Sequence, residues 1–375
     1  MRILILTPRL PWPPRDGGRV AMSRLAQSLA ECGAEVEVVS LNPRKHRGSV
    51  EGPLPIQAVD IDTSRPALVS GVPFIVSRFI SSEFRALLEE TMARFAPDVV
   101  QIESPFMLPY ASSVRGARVV LRSLNVEFRI WEELARIERN PLRRLAMKRI
   151  AASLARYELR EMNKLDAIMP ISEADADDFR RLGCTRPMHV VPCSVVIPSV
   201  SEGPGGPGGT QLPQVGFIGA LDFRPNQDAV RWILDELWPR VLEREPDARL
   251  SIAGSAPPEW LRRRGIGDVE SAEAFMREVA VFIAPLFAGG GMRIKVLEAM
   301  ALGKPVVATT IGAGGIDCDD IIIADDAASF ADAVVRLLRD PVLAARIGNA
   351  ARESVAERYD GESLARGLLR FYESL

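Results

Sequence analysis

Residues 281–316 read VFIAPLFAGGGMRIKVLEAMALGKPVVATTIGAGGI, and this stretch leaves few folds open to the chain. Residues 281–286 form a short apolar run bounded by Pro285 and glycines, which suits a buried strand better than a helix. Gly289-Gly290-Gly291 follows, and then residues 292–302, free of glycine and proline, predict a helix with Gly303 as its C-cap and Pro305 just beyond. Residues 305–309 predict a second buried strand, closed by the loop 311–315. Strand, glycine turn, helix and strand make a βαβ unit of a parallel sheet.

The turn carries the chemistry. Glycines let the backbone come close to a ligand, and the N–H groups that open a helix suit an anion. Arg293 falls in the first turn, where a cation is disfavoured by a few tenths of a kcal/mol unless an anion compensates it. Lys295 and Glu298 share one helix face. A phosphate would satisfy the glycine amides, Arg293 and Lys295 together and leave Glu298 for the hydroxyls of a ribose or sugar. On these residues alone, Lys295 and Glu298 are equally well read as a solvated surface pair.

The string from Gly291 to Ala301, GMRIKVLEAMA, followed by GKPVVAT from Gly303 to Thr309, resembles the donor-binding signature of family four retaining glycosyltransferases with the GT-B fold. The resemblance implies two Rossmann-like doubly wound α/β domains facing across a cleft, with the C-terminal helix crossing back to the first domain. It implies a diphosphate at the helix start, with Gly290, Gly291, Met292, Val296 and Leu297 on the donor side, and ribose on Glu298. The family carries two glutamates separated by seven residues, and the first of them falls on Gly290 here, which leaves donor-sugar recognition to the backbone of a glycine-rich turn.

A chain of 375 residues exceeds what one core usually serves, so two domains are expected. With 47 basic and 49 acidic residues, the charge balance does not call for nucleic acid. No apolar run reaches the roughly 18 residues that span a bilayer. The opening MRILILTPRLPWPP reads as a first strand and not as a signal peptide. Cys32, Cys184, Cys193 and Cys318 show no paired spacing, so neither a zinc site nor a disulfide framework is suggested. A cytoplasmic location follows as an expectation.

In the first half, residues 3–7 predict a strand, 8–15 a proline-rich loop before Gly17-Gly18, and 19–32 an amphipathic helix leading to a strand at 36–41. This opens a doubly wound domain. By the resemblance its glycine loop approaches donor and acceptor, placing Gly18 on the donor side and Gly17 and Arg19 on the acceptor side. Further strands are expected at 56–61, 99–102, 119–121, 167–170 and 188–192. Asp60-Ile61-Asp62 looks like a metal-binding pair but reads better as a strand terminus, and no metal is expected. The segment 122–127, RSLNVE, is similar to a family segment with histidine before Asn-Val-Glu; that position is Leu124, so the residue that lies beside the reacting sugar in relatives is missing. Asn125 and Glu127 stand as acceptor-side candidates, against a loop-stabilising role. His46 and His189 fall in no catalytic pattern.

Residues 139–165 are helical in pattern and basic at Arg143, Arg144, Lys148, Arg149 and Arg156, with Leu142, Leu145, Met147, Ile150 and Leu154 interleaved. A domain helix with its apolar stripe in the core is the preferred reading; an anionic membrane surface is the alternative. Ser172 caps the next helix. Residues 199–213 form a Gly/Pro linker, placing a first domain at 1–198 with the helix 362–375, and a second at 214–357. The second domain should open with a strand at 214–218, then Gly219 and a helix capped near Asn226 and running to 242. Arg224 substitutes for the arginine that relatives carry after this glycine, and a strand at 249–253 ends at Gly254 on the donor side. A strand at 321–324 and helices at 327–338, 341–357 and 362–375 complete the chain.

The function implied is transfer of a sugar from a UDP- or GDP-linked donor to a hydroxyl of a glycan or lipid-linked acceptor, in cell-envelope or exopolysaccharide synthesis, with Arg293 and Lys295 stabilising the leaving diphosphate. No cofactor is required beyond the donor itself. A GT-B sugar-nucleotide epimerase would need acid and base groups near the donor. A non-catalytic relative that binds nucleotide sugar or a partner transferase is the other alternative, motivated by Leu124 and Gly290.

Overall fold

The computed structural model describes residues 1–14, 16–64, 66–67, 69–198, 214–289 and 291–375. The expected linker 199–213 and Gly290 lie outside the described residues. The chain divides into two compact units, Met1–Ser194 with Gly361–Leu375, and Val195–Asp360.

The first unit is built on a parallel sheet of β1 (Arg2–Thr7), β2 (Glu35–Pro43), β3 (Ile56–Ile61), β4 (Val99–Ile102), β5 (Arg118–Ser123) and β6 (Ala167–Pro170), in the order β3-β2-β1-β4-β5-β6. Parallel strands buried on both faces read as continuous apolar runs. In β1, Leu4 and Leu6 join one buried cluster while Ile3 and Ile5 join another, the two-residue alternation of a strand with a core on each side. The terminal helix Gly361–Glu373 belongs to this unit. It contributes Ala365, Leu368 and Tyr372 to the cluster of Ile3 and Ile5, and the Tyr372 hydroxyl donates to Gln101 Oε1 at 2.6 Å. The residues expected as a strand at 188–192 run beside β6 with one isolated bridge, Ile168 with Met188, and a bond from the Val191 amide to Pro170 O, so among the described residues they add no seventh strand.

The second unit holds β7 (Gln214–Ile218), β8 (Arg249–Ala253), β9 (Val281–Ala284), β10 (Val306–Ala308) and β11 (Ile321–Ile323), all parallel, in the order β11-β10-β9-β7-β8. Renumbered within the unit this is 2-1-3-4-5, the flavodoxin-like order, whereas the first sheet follows the 3-2-1-4-5-6 order of dinucleotide-binding folds. Helix Arg224–Trp232 starts two residues before Asn226. Asn226 is no N-cap but fixes the preceding turn by donating to Ala220 O at 2.8 Å.

Candidate functional site

Ligands of open α/β sheets bind outside the carboxyl ends of the strands where the strand order reverses. In the second unit that point lies between β7 and β9, so the turns after these two strands flank it. After β7 comes Gly219, and after β8 comes Gly254. A Cβ on Gly254 would stand 1.8 Å from the Gly219 carbonyl oxygen, so only glycine lets the two turns meet. Arg224, expected to take the place of a family arginine, stands in solvent with its side chain 84% exposed, 3.5 Å from Asp228.

After β9 the chain reaches the glycine turn. Gly289 and Gly291 have φ of +111° and +76°, a region that favours glycine. The helix opens two residues later than the sequence pattern predicts. It runs Ile294–Ala301, and Arg293 is its N-cap with φ −86° and ψ 82°, not a first-turn residue. Arg293 turns back and donates to the Gly289 carbonyl, which fixes the glycine turn and moves the cation off the helix axis. The amides of Gly291 and Met292 donate to no acceptor among the described residues. The Val296 and Leu297 amides both bond to Arg293 O, at 2.9 and 3.2 Å, and their side chains are buried, so in this structure both residues support the helix. Lys295 Nζ donates to Glu298 Oε2 at 2.7 Å, with side chains 39% and 17% exposed, so the surface pair read from the sequence is formed.

This turn is braced from behind. A Cβ on Gly315 would come within 3.2 Å of Met292 Cα, and one on Gly312 would lie 1.9 Å from Ala284 O at the end of β9. Thr309 donates from its hydroxyl to Leu286 O and accepts from the Gly312 amide at 2.9 Å. The loop after β10 therefore sets the position of the turn after β9. At its far end the helix closes in a Schellman motif. The Gly303 amide donates to Met300 O at 2.8 Å and the Lys304 amide to Ala299 O at 3.0 Å, with Gly303 at φ +70°.

In the first unit the strand order reverses between β1 and β4. Gly17 and Gly18 open the helix Gly17–Glu31 beyond β1, and Asp16 caps it by accepting from the Arg19 amide at 3.1 Å. The Arg19 side chain is buried, 3.5 Å from Asp16. Beyond β5, Val126 is the N-cap of the helix Glu127–Ile137, so Asn125 and Glu127 flank a helix start. Asp60, from the discounted metal pair, accepts from Asn42 at 2.8 Å and pairs with Arg47 at 3.0 Å. His189 stacks on Phe371 at 4.8 Å.

Two features of this unit are invisible in the pattern of the sequence. Arg122, at the end of β5, is fully buried; its Nη1 donates to Ala21 O at 3.0 Å and to Glu103 Oε2 at 3.2 Å. Burial raises the Glu103 carboxyl while Arg122 opposes the rise. The second is Glu158, on the helix Pro141–Met162. It is fully buried, and neither carboxyl oxygen completes a hydrogen bond, although the Phe128 amide favours its charged form. Burial, and then the neighbouring Glu127 charge, push it well above the usual carboxylate range. Glu127 is itself raised by burial to about 7, with Asn125 acting to lower it.

A carboxyl raised by folding holds its proton more tightly in the native state than in the unfolded chain. Its contribution to stability is complete below the unfolded value of 4.5 and is lost as pH rises through the folded value, about 7 for Glu127. Stability of the first unit should therefore decline across this window. Glu158→Gln, which keeps the shape and removes the charge, should stabilise the protein by about 2 kcal/mol near pH 8 and by little near pH 5. Urea unfolding at the two pH values checks this, and an equal effect at both would refute it.

A family model described as glycosyl transferases group 1 matches residues 212–340, and one described as glycosyl transferase 4-like domain matches residues 16–194. The chain belongs to the family four glycosyltransferases and has their GT-B fold. It is 35% identical over 202 residues to a phosphatidyl-myo-inositol mannosyltransferase of Mycobacterium leprae, covering 49% of this chain and 53% of the relative. The chain thus spans about half the length of the curated relatives it matches. Among solved structures, sucrose-phosphate synthase from Thermosynechococcus elongatus superposes with a TM-score of 0.71 at 14% identity, over 100% of this chain and 99% of that one. The Anabaena protein HepE in complex with UDP-glucose superposes with a TM-score of 0.69 at 15% identity, over 100% of both chains.

Proposed function

We propose that the protein is a retaining, metal-independent glycosyltransferase that moves a sugar from a UDP- or GDP-linked donor to a hydroxyl of a glycan or lipid-linked acceptor, in glycolipid, cell-envelope or exopolysaccharide synthesis on the cytoplasmic side of a membrane. One observation carries this reading: a glycine turn at the reversal point of the second sheet delivers Arg293, the Gly291 and Met292 amides, Lys295 and Glu298 to one helix start. A diphosphate there would meet two amides and two cations. It would draw Lys295 from Glu298 and release the carboxylate for a ribose. Departure of the nucleoside diphosphate is the hard step, and fixed donors aimed at the growing phosphate charge lower its barrier. A same-face displacement, in which the leaving phosphate takes the acceptor proton, needs no protein nucleophile. The acceptor falls to the first unit, near Gly17, Arg19, Asn125 and Glu127. A glycolipid acceptor is supported by the activity named for the M. leprae relative, and a nucleotide-sugar donor by the UDP-glucose held by HepE.

Nucleotide binding tests the reading directly. A nucleoside diphosphate at a hundredfold excess over its Kd should stabilise the folded protein by about 2.7 kcal/mol. That should raise the Tm of the second unit by about 5 °C or more in a thermal-shift assay of UDP, GDP and their sugars. Should no nucleoside diphosphate move the transition, the transferase assignment falls.

A further inference from the structure

The long basic segment expected as a helix at 139–165 is one helix, Pro141–Met162, and the helix Glu127–Ile137 precedes it across a short turn. Residues 139–146, around the turn between them, are all exposed. No residue of the second helix is buried before Ala151, and Ile150 is the first on it to pack against the core, so its first nine residues run about 13 Å before that seat. The preferred expectation of a core-facing stripe is corrected here: Leu154 is buried, but Leu142 is 77% exposed and Leu145 47%. Ile137 and Leu134, on the last turn of the preceding helix, are 60% and 37% exposed. Each helix thus ends in an apolar pair spaced i, i+3, and the two pairs flank one turn.

The charges at this tip are as uneven as its hydrophobicity. Arg136, Arg139, Arg143, Arg144, Lys148 and Arg149 are exposed, and among the described residues none of the six has an ion-pair partner. Some arginines on other helices are matched one turn away, as Arg240 is by Glu236, Arg277 by Glu273 and Arg366 by Glu362. The lone acid of the tip, Glu138, accepts from the Asn140 amide at 2.8 Å. A projecting tip with four exposed aliphatic side chains and six unmatched cations satisfies both halves only where an anionic charge layer lies over an apolar interior. Self-association would set like charges against each other. A nucleic acid would give the four aliphatic side chains no place to be buried.

We infer that this helical hairpin docks the protein on an anionic lipid surface, with Leu142, Leu145 and Ile137 among the acyl chains and the six cations among the headgroups. The inference deepens the glycolipid reading by naming the surface on which the acceptor would be met. Its test uses no turnover, so it can fail while the transferase reading stands, and the reverse. Full-length protein should float with phosphatidylcholine vesicles containing about a third phosphatidylglycerol and not with phosphatidylcholine alone, and added salt should release it. Each cation near such a surface multiplies the partition constant about fivefold, so Arg143→Gln with Arg144→Gln should lower it about 25-fold. Leu142→Ser with Leu145→Ser should also release the protein. All four positions are exposed, so unchanged far-ultraviolet circular dichroism and Tm will show that the variants fold. Equal flotation with both vesicle types, or with the wild type and the arginine variant, would overturn the inference. So would absence of flotation with a concentration-dependent dimer that the leucine variant abolishes, or equal affinity for a DNA duplex that ignores the leucines.

Discussion

Lys295→Ala should cut turnover about a hundredfold or more while leaving the fold intact. The lysine lies on the solvent side of the helix Ile294–Ala301, 39% exposed and paired with Glu298, so its loss opens no core cavity. What it removes is a fixed cation at the end of the helix where an anion is favoured, and one such donor is typically worth about 3–4 kcal/mol at a transition state that develops charge. Steady-state transfer with the donor identified by thermal shift is the measurement, and the loss should fall on kcat more than on KM. Near-normal turnover would remove Lys295 from the mechanism. Glu298→Ala should do the opposite and chiefly raise the donor KM, because a ribose contact serves ground and transition states alike.

Gly348→Ala should destabilise the second unit by about 2 kcal/mol, although alanine is the better helix former. Gly348 lies within the helix Pro341–Arg358, where the exchange by itself would gain about 1 kcal/mol. Its Cβ, however, would stand 2.0 Å from the Gly303 carbonyl oxygen and 2.8 Å from that carbonyl carbon. Both are backbone atoms of the Schellman turn that closes the helix carrying Lys295 and Glu298, so no side chain can swing aside, and overpacking of this kind costs about 1–3 kcal/mol or more. Steric cost should win over propensity. Chemical denaturation followed on the second unit would read it, and a neutral or stabilising result would show that the two helices are not seated backbone to backbone at Gly348.

Much of this unit is legible in local sequence because its signals are local. Gly303 ends its helix where the residue type demands, since a Schellman turn needs a positive φ within a few bonds. The strands at 214–218 and 249–253 are read to the residue, because each is a short, largely apolar run that a glycine ends, Gly219 after the first and Gly254 after the second. The signals that mislead are those another element overrides. Residues 188–192 have the composition of a strand but bond to β6 at only two points, the His189 amide to Ile168 O and the Val191 amide to Pro170 O. Arg293 reads as a first-turn residue, yet a side-chain bond to Gly289 holds it at the N-cap. The leucines of residues 139–165 have helical spacing throughout, and spacing does not reveal where the core ends. Glu158 reads as one acid of a charged helix, and only its depth in the fold makes it a carboxyl beside Glu127.

The order of residues alone determined that the chain would form parallel α/β units, that a glycine turn would open a helix carrying Lys295 and Glu298, and which family it resembles, because backbone preference and apolar periodicity act over a few residues. Tertiary structure decided that the two sheets have different strand orders, that Arg122 and Glu158 are sealed from water, and that Leu142 and Leu145 are left outside. Those facts depend on which distant segments cover a given face, and the free energy of burying a charge or exposing a leucine is fixed by the neighbours that folding brings, not by the neighbours in the chain.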